Sequence, residues 1–168
     1  MDTESLRNIQ RPLKHRYRSE PDSAVVTLRA QASLSESEVA CSVQTGRALV
    51  EAGLHPATGG DGSFACSGDM LLQALVACAG VTLRAVATNR GVAVTGTVRA
   101  EGDIDFRGTL GVDREAPVGF RSIRLIFDLH SDASQDQLNE LIKTTERYCV
   151  VYQTLAGSPK LSIDQSNP

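Results

Sequence analysis

Cysteine is the residue type whose distribution could do chemistry in this chain. Four occur among 168 residues, at positions 41, 66, 78 and 149. Cys78 lies inside the most apolar stretch, DMLLQALVACAGVTLRAVA, and Cys149 follows an amphipathic stretch ending in ERY. Two readings of this pair are open. Both thiols can be small hydrophobes in a core, a common fate of free cysteine. Alternatively they are redox or nucleophilic groups, and then the thiolate is the reacting form and needs a lowered pKa and access. Cys78 follows Asp69 by nine residues, which is about 13 Å along a helix axis. The dipole of its own helix therefore helps it little. A cation from another element would have to hold the thiolate. Arg47 and Arg29, both from the N-terminal hairpin region, are the candidates, although each can also be an ordinary solvated arginine.

The remaining candidates are weaker. Cys41 alternates with Val39 and Val43 as a core strand residue would. Cys66 precedes the apolar stretch and could be a semi-buried loop residue, a third redox thiol or a metal ligand. The gaps of 25, 12 and 71 residues between cysteines lack the clustered CxxC spacing of structural zinc, so neither a metal nor a cofactor is expected. His15, His55 and His130 form no spaced pair, and only His55, in the loop GLHPATGGDGS, could help as an acid or base. That loop has no Lys and no phosphate-binding pattern, and no GxSxG elbow occurs anywhere.

The elements that must position these groups follow from periodicity. Alternation over 24–32 and 39–43 predicts two strands joined by a turn at 33–37. Residues 70–87 predict a helix, with Ser67 as cap, Asp69 in its first turn and Gly91 just past its end. Apolar residues occupy nearly every face, which places that helix in the middle of a domain. Strands are expected at 92–101, with Gly96 as a bulge, near 106–112, and at 120–130. Ser134 and Gln137 form a capping box for an amphipathic helix ending near Glu146–Tyr148. Cys149 to Tyr152 reads as a junction before a short helix, because β-branched residues crowd a continuing turn.

Hairpins and separated helices favour an α+β class over a doubly wound sheet. One domain over 24–157 is expected, with a polar lead-in at 1–23 and a polar tail at 158–168. The basic cluster Arg11, Lys14, Arg16 and Arg18 is flanked by Glu4, Glu20 and Asp22 and reads as a solvated segment. A net charge of -3 argues against a nucleic-acid partner. No run of 18 apolar residues and no apolar leader is present, so no membrane association and a cytoplasmic location are expected.

The segments DMLLQALVACAGVTLRAVA and ERYCVVYQTL resemble the two cysteine helices of the OsmC/Ohr family, osmotically inducible protein C and organic hydroperoxide resistance protein. The resemblance covers residues 24–157 and rests on Leu71-Leu72, Ala77-Cys78 and Cys149. It implies an OsmC-like fold in which antiparallel sheets surround a long buried helix, within an intertwined homodimer. It further implies a thiol-dependent peroxidase that reduces organic hydroperoxides. Cys78 would be the peroxidatic residue and Cys149 the resolving one, and a dithiol or a lipoylated protein would be the reductant. The family's glutamate position, ten residues before the first cysteine, holds Gly68 here, with Asp69 as the neighbouring substitute. The family's Cys-Pro pair reads Cys149-Val150, and its Gly-Gly-Arg segment has its nearest imitation at Arg47. A binding or redox-sensing protein on the same fold, with both cysteines structural, is the alternative.

Overall fold

Helix α1 (Ser67–Arg90) organises the chain. It is rich in Leu and Ala, which lose little freedom in a helix. Asp69 lies in its first turn and Arg90 in its last, each at the end where the macrodipole favours its charge. Gly91 closes the helix at φ 67°, its N–H reaching the carbonyls of Ala87 and Thr88. Cys66, not Ser67, is the N-cap residue, since Ser67 is already helical. The computed structural model describes residues 31–34, 40–45, 48–111 and 113–165, and the isolated positions 3, 4, 8, 11 and 19.

Leu75, Ala79, Leu83 and Ala87 recur at one-turn spacing and form the buried stripe of α1. The long Cys-bearing helix expected in the core is present, buried along this stripe. Val81 is 72% exposed and Leu71 37% exposed, because a single chain covers α1 on one side. By length and composition alone, α1 is also apolar enough to cross a bilayer, which a count of uninterrupted apolar residues does not register.

The strands form two sheets. In the first, β1 (Gln31–Leu34), β2 (Ala40–Thr45) and β3 (Ala48–Gly53) run antiparallel, and β4 (Ala65–Cys66) adds to β3 in parallel. The expected pairing of two N-terminal strands is present, with Leu34 opposite Cys41, but Ser33 and Leu34 belong to β1 rather than to the turn expected at 33–37, and residues 24–30 lie outside the described residues. Strand β3 was not expected, and the parallel β3–β4 pair departs from a purely antiparallel arrangement. Between β3 and β4 a 3-10 turn spans Pro56–Thr58, capped by His55, whose Nδ1 accepts from the Ala57 N–H at 3.0 Å.

The second sheet is a ribbon of β5 (Thr95–Ile104) and β6 (Phe120–His130), antiparallel from Thr95 opposite His130 onward. Val98, Ala100, Ile123, Leu125, Phe127 and Leu129 pack inward against the core of α1. The outward face carries opposed charges, Arg99 with Asp128 at 3.0 Å and Arg124 with Asp103 and Glu101. Gly96 is not a bulge: it pairs in register with Leu129. It is required by φ 123° and by the Asp128 carbonyl, which an added Cβ would meet at 2.0 Å. The register shift lies instead between Asp103 and Ile104. The strand expected near 106–112 is replaced by one helical turn, α2 (Phe106–Thr109), started by the Asp105 carboxylate accepting from the Arg107 N–H.

Helix α3 (Gln135–Tyr148) begins with the full capping box, Ser134 with the Gln137 N–H and Gln137 with the Ser134 N–H. Its apolar face meets α1, and Arg90 donates to Thr144 Oγ1 at 2.8 Å to tie the two helices. Helix α4 (Val150–Gly157) follows after one residue. Leu141 is 0% exposed in the cluster with Leu83, Ala87 and Val94. Leu141→Ala is therefore expected to destabilise the fold by about 2–5 kcal/mol, read as a lowered urea midpoint with an unchanged slope.

Candidate functional site

The site begins with a helix break of one residue. At φ -73° and ψ 107°, Cys149 caps α3 and starts α4 at once. Its N–H donates to the Thr145 carbonyl at 2.8 Å, and its carbonyl accepts the Gln153 N–H at 2.9 Å. Gln153 Nε2 reaches back to the Glu146 carbonyl at 2.9 Å and clamps the joint. The first amides of any helix have no acceptor within it. At the start of α4 those amides belong to Val150 and Val151, and they are turned toward the sulfur of Cys78 on α1.

Burial pushes the Cys78 thiol up. The Val151 N–H, the Cys149 S–H, the Thr82 hydroxyl and the Val150 N–H, in that order, pull it down, and together they leave it below the ordinary thiol range. Cys149 behaves oppositely. Burial raises its pKa most; the Tyr152 amide lowers it, the neighbouring Cys78 sulfur raises it by hydrogen bonding and by charge, and the Val151 amide lowers it least. One sulfur is thus biased toward thiolate while its neighbour holds the proton, a division of roles set by environment. Tyr152, packed beside the pair, is itself raised by burial and by the Glu146 carboxylate.

Leu75, Ala79, Ala100, Ile123, Leu125, Phe127 and Val151 pack around the two thiols. Cys149 is 0% exposed, whereas Cys78 is half-buried and so the more accessible of the two. Thr82, one turn beyond Cys78, also lines a groove of about 560 Å³ between α1 and α3, with Val81, Ala85, Val86 and Tyr148.

Of the residues singled out in the sequence, the fold brings Cys78 and Cys149 together. Asp69 stands apart, nine residues up α1, and that is about 13 Å along the axis. It lines a separate cavity of about 330 Å³ with His55, Cys66, Asp103 and Phe106. His55 stacks on Phe106 at 4.9 Å there. Arg29 and Arg47 lie outside the described residues, as does the side chain of Cys41. Among the described residues, the groups that lower Cys78 are hydrogen-bond donors and none is a cation. No cluster of three His, Cys, Asp or Glu able to hold a metal occurs among them. The amides of Val150 and Val151 and the Thr82 hydroxyl escaped the sequence reading. The junction at Cys149 was visible there, but not the direction in which its amides would aim.

An activated thiol on a central helix, with a second thiol donating to it from the next helix, defines an α+β domain of thiol-redox type. The chain belongs to the OsmC-like protein family, which matches residues 60–164. Among solved structures it is similar to an OsmC-like protein from Mycoplasma pneumoniae, at 20% identity and a TM-score of 0.65, covering 79% of this chain and 89% of that one. It is also similar to an organic hydroperoxide resistance protein OsmC from Legionella pneumophila, at 16% identity and a TM-score of 0.59, covering 80% and 92%. A third likeness is to an organic hydroperoxide resistance protein from Elizabethkingia anophelis, at 16% identity and a TM-score of 0.59, covering 80% and 91%. At these identities the likeness is one of fold. None of the curated proteins matches the chain.

The lowered Cys78 predicts that alkylation by iodoacetamide will titrate below the pH range of a free thiol. Because the Cys149 S–H is one of the donors, Cys149→Ala should move that titration upward. A profile unchanged by the substitution would show that the second thiol does not hold the first.

Proposed function

We propose that this protein is a thiol-dependent peroxidase that reduces organic hydroperoxides through Cys78 and Cys149. The observation that carries the reading is the juxtaposition of the two thiols, with Cys149 pulling the Cys78 pKa down while burial pushes that of Cys149 up. The Cys78 thiolate attacks the terminal oxygen of ROOH. The O–O bond breaks, giving the sulfenic acid and an alkoxide that takes a proton to become ROH. Cys149 then condenses with the sulfenic acid, its proton leaves with the sulfenic hydroxyl as water, and the disulfide forms. A dithiol, free or as a lipoylated protein, restores both thiols by exchange and is itself oxidised to a disulfide. The apolar lining of the site suits an organic hydroperoxide better than hydrogen peroxide.

In this reading a second copy of the chain covers the exposed face of α1, where Leu71 and Val81 stand in solvent. Asp69 would act at a distance, anchoring Arg47 or Arg29 rather than touching the sulfur. Free thiols that depend on a dithiol reductant suit a reducing compartment such as the cytoplasm. The complete enclosure of Cys149 favours a second reading, a redox-sensing protein that is oxidised without turning over.

Cumene hydroperoxide should remove two hydrogens per chain, a loss of ~2 Da in intact mass, and hydrogen peroxide should do so more slowly. Cys78→Ser should abolish the change. Cys149→Ser should stop at a sulfenic acid that dimedone traps. Sustained peroxide consumption with dihydrolipoamide separates the peroxidase from the sensor, and an unchanged mass with both oxidants would remove the peroxidase reading.

A further inference from the structure

The segment that follows α4 has the pattern of a strand and no sheet to join. Ser158, at φ 45°, turns the chain out of the helix. Lys160, Ser162 and Asp164 then alternate with Leu161 and Ile163, the period of a strand with one apolar face. Leu161 is 90% exposed and Ile163 99% exposed, so this apolar face stands in water. Among the described residues no hydrogen bond reaches 159–165. An edge with a matching pattern is open elsewhere. The second sheet has two strands, so among the described residues β5 is paired only on its β6 side. Its residues alternate in the same way, with Thr97, Arg99 and Glu101 outward and Val98 and Ala100 inward. Between the start of β5 and α1 lies a groove of about 310 Å³, lined by Val76, Gly80, Leu83, Val94, Val98 and Leu129. Arg84 on α1 holds its two walls together, donating to the Val94 carbonyl at 2.9 Å. Gly80 leaves the groove open, since a Cβ there would meet nothing within 4 Å.

We propose that residues 159–165 of one copy of the chain add to the free edge of β5 in a second copy and seat Leu161 and Ile163 in its α1–β5 groove. A strand added to an edge gains main-chain hydrogen bonds, and its alternate side chains enter the pockets beside that edge. The aliphatic pair meets Val76, Leu83 and Val98. On the other face Lys160 and Asp164 join the outward row that already holds Arg99 and Glu101, so charges of both signs are available on each strand for cross-strand pairing. The chain's own groove lies on the wrong flank. Val151 and Tyr152 of α4 pack in one cluster with Cys78. Val76 and Gly80, each two residues from Cys78, stand about 160° around α1 from it. The segment therefore leaves α4 on the side of α1 opposite its own groove, and a second copy supplies an equivalent groove. Two copies exchange segments reciprocally, which closes the pair and covers both edges. This joint is separate from the α1 face that carries Leu71 and Val81, and it does not depend on the thiol chemistry.

Leu161→Asp/Ile163→Asp changes only side chains that stand in solvent, so the single chain keeps its fold. Gly80→Leu fills the groove from the other side of the joint. Sedimentation over a range of concentrations gives the dissociation constant of the dimer. It should rise at least about 100-fold in each variant, because two aliphatic side chains lose their cover. Mixing the two variants should recover part of the affinity. The Gly80→Leu copy brings an intact segment, and the aspartate copy brings an open groove. Hydrogen exchange reads the same joint without a groove variant. The β5 amides that face away from β6 should exchange at least about tenfold faster in the aspartate variant than in the wild-type dimer. Equal dissociation constants or equal β5 exchange in wild type and the aspartate variant overturn the proposal. So does a wild type that stays monomeric, or a weakening in both folded variants with no recovery on mixing. Each of these outcomes leaves the peroxidase reading standing, since that reading is decided by the mass change at Cys78.

Discussion

A thiolate in the middle of a helix is poorly placed to be one. Its own helix offers no open amides there, and an apolar surround disfavours the charge. The fold answers by bringing the start of α4 to the side of α1, so that two amides without helical acceptors meet a sulfur in need of donors. The ribbon β5–β6 backs α1, α3 runs along it, and the break at Cys149 turns the chain so that α4 opens at the height of Cys78.

The same break places the partner thiol. As the only residue between α3 and α4, Cys149 has both of its backbone groups committed, and its side chain is enclosed by the aliphatic cluster. Burial raises the pKa of Cys149, while the donors around Cys78 lower that of its neighbour. The two sulfurs are thereby told apart by surroundings alone.

Much of this was legible in the letters. The capping box at Ser134, the end of α1 at Gly91, strand β6 over 120–130 and the junction at Cys149 all follow from local rules, because each depends on side chains within a few residues. What local rules could not supply was anything set by approach. Gly96 looked like a bulge and is instead a point where the Asp128 carbonyl passes close. Residues 106–109 looked extended until Asp105 captured an amide. The amides of Val150 and Val151 were not legible either, since a charged side chain shows in a sequence and a main-chain N–H does not. The pairing of Cys78 with Cys149, 71 residues apart, was accessible only through family resemblance.

The one-residue joint between α3 and α4 makes the centre sensitive to length more than to identity. Because main-chain groups hold the sulfur, the side chain at 150, 68% exposed, contributes bulk rather than function. An inserted or deleted residue there is another matter. Each helical residue advances the azimuth by about 100°, so a single indel would swing the α4 amides away from α1 while leaving both helices intact. Phase at this joint, rather than the alphabet around it, is what drift along this stretch has to respect.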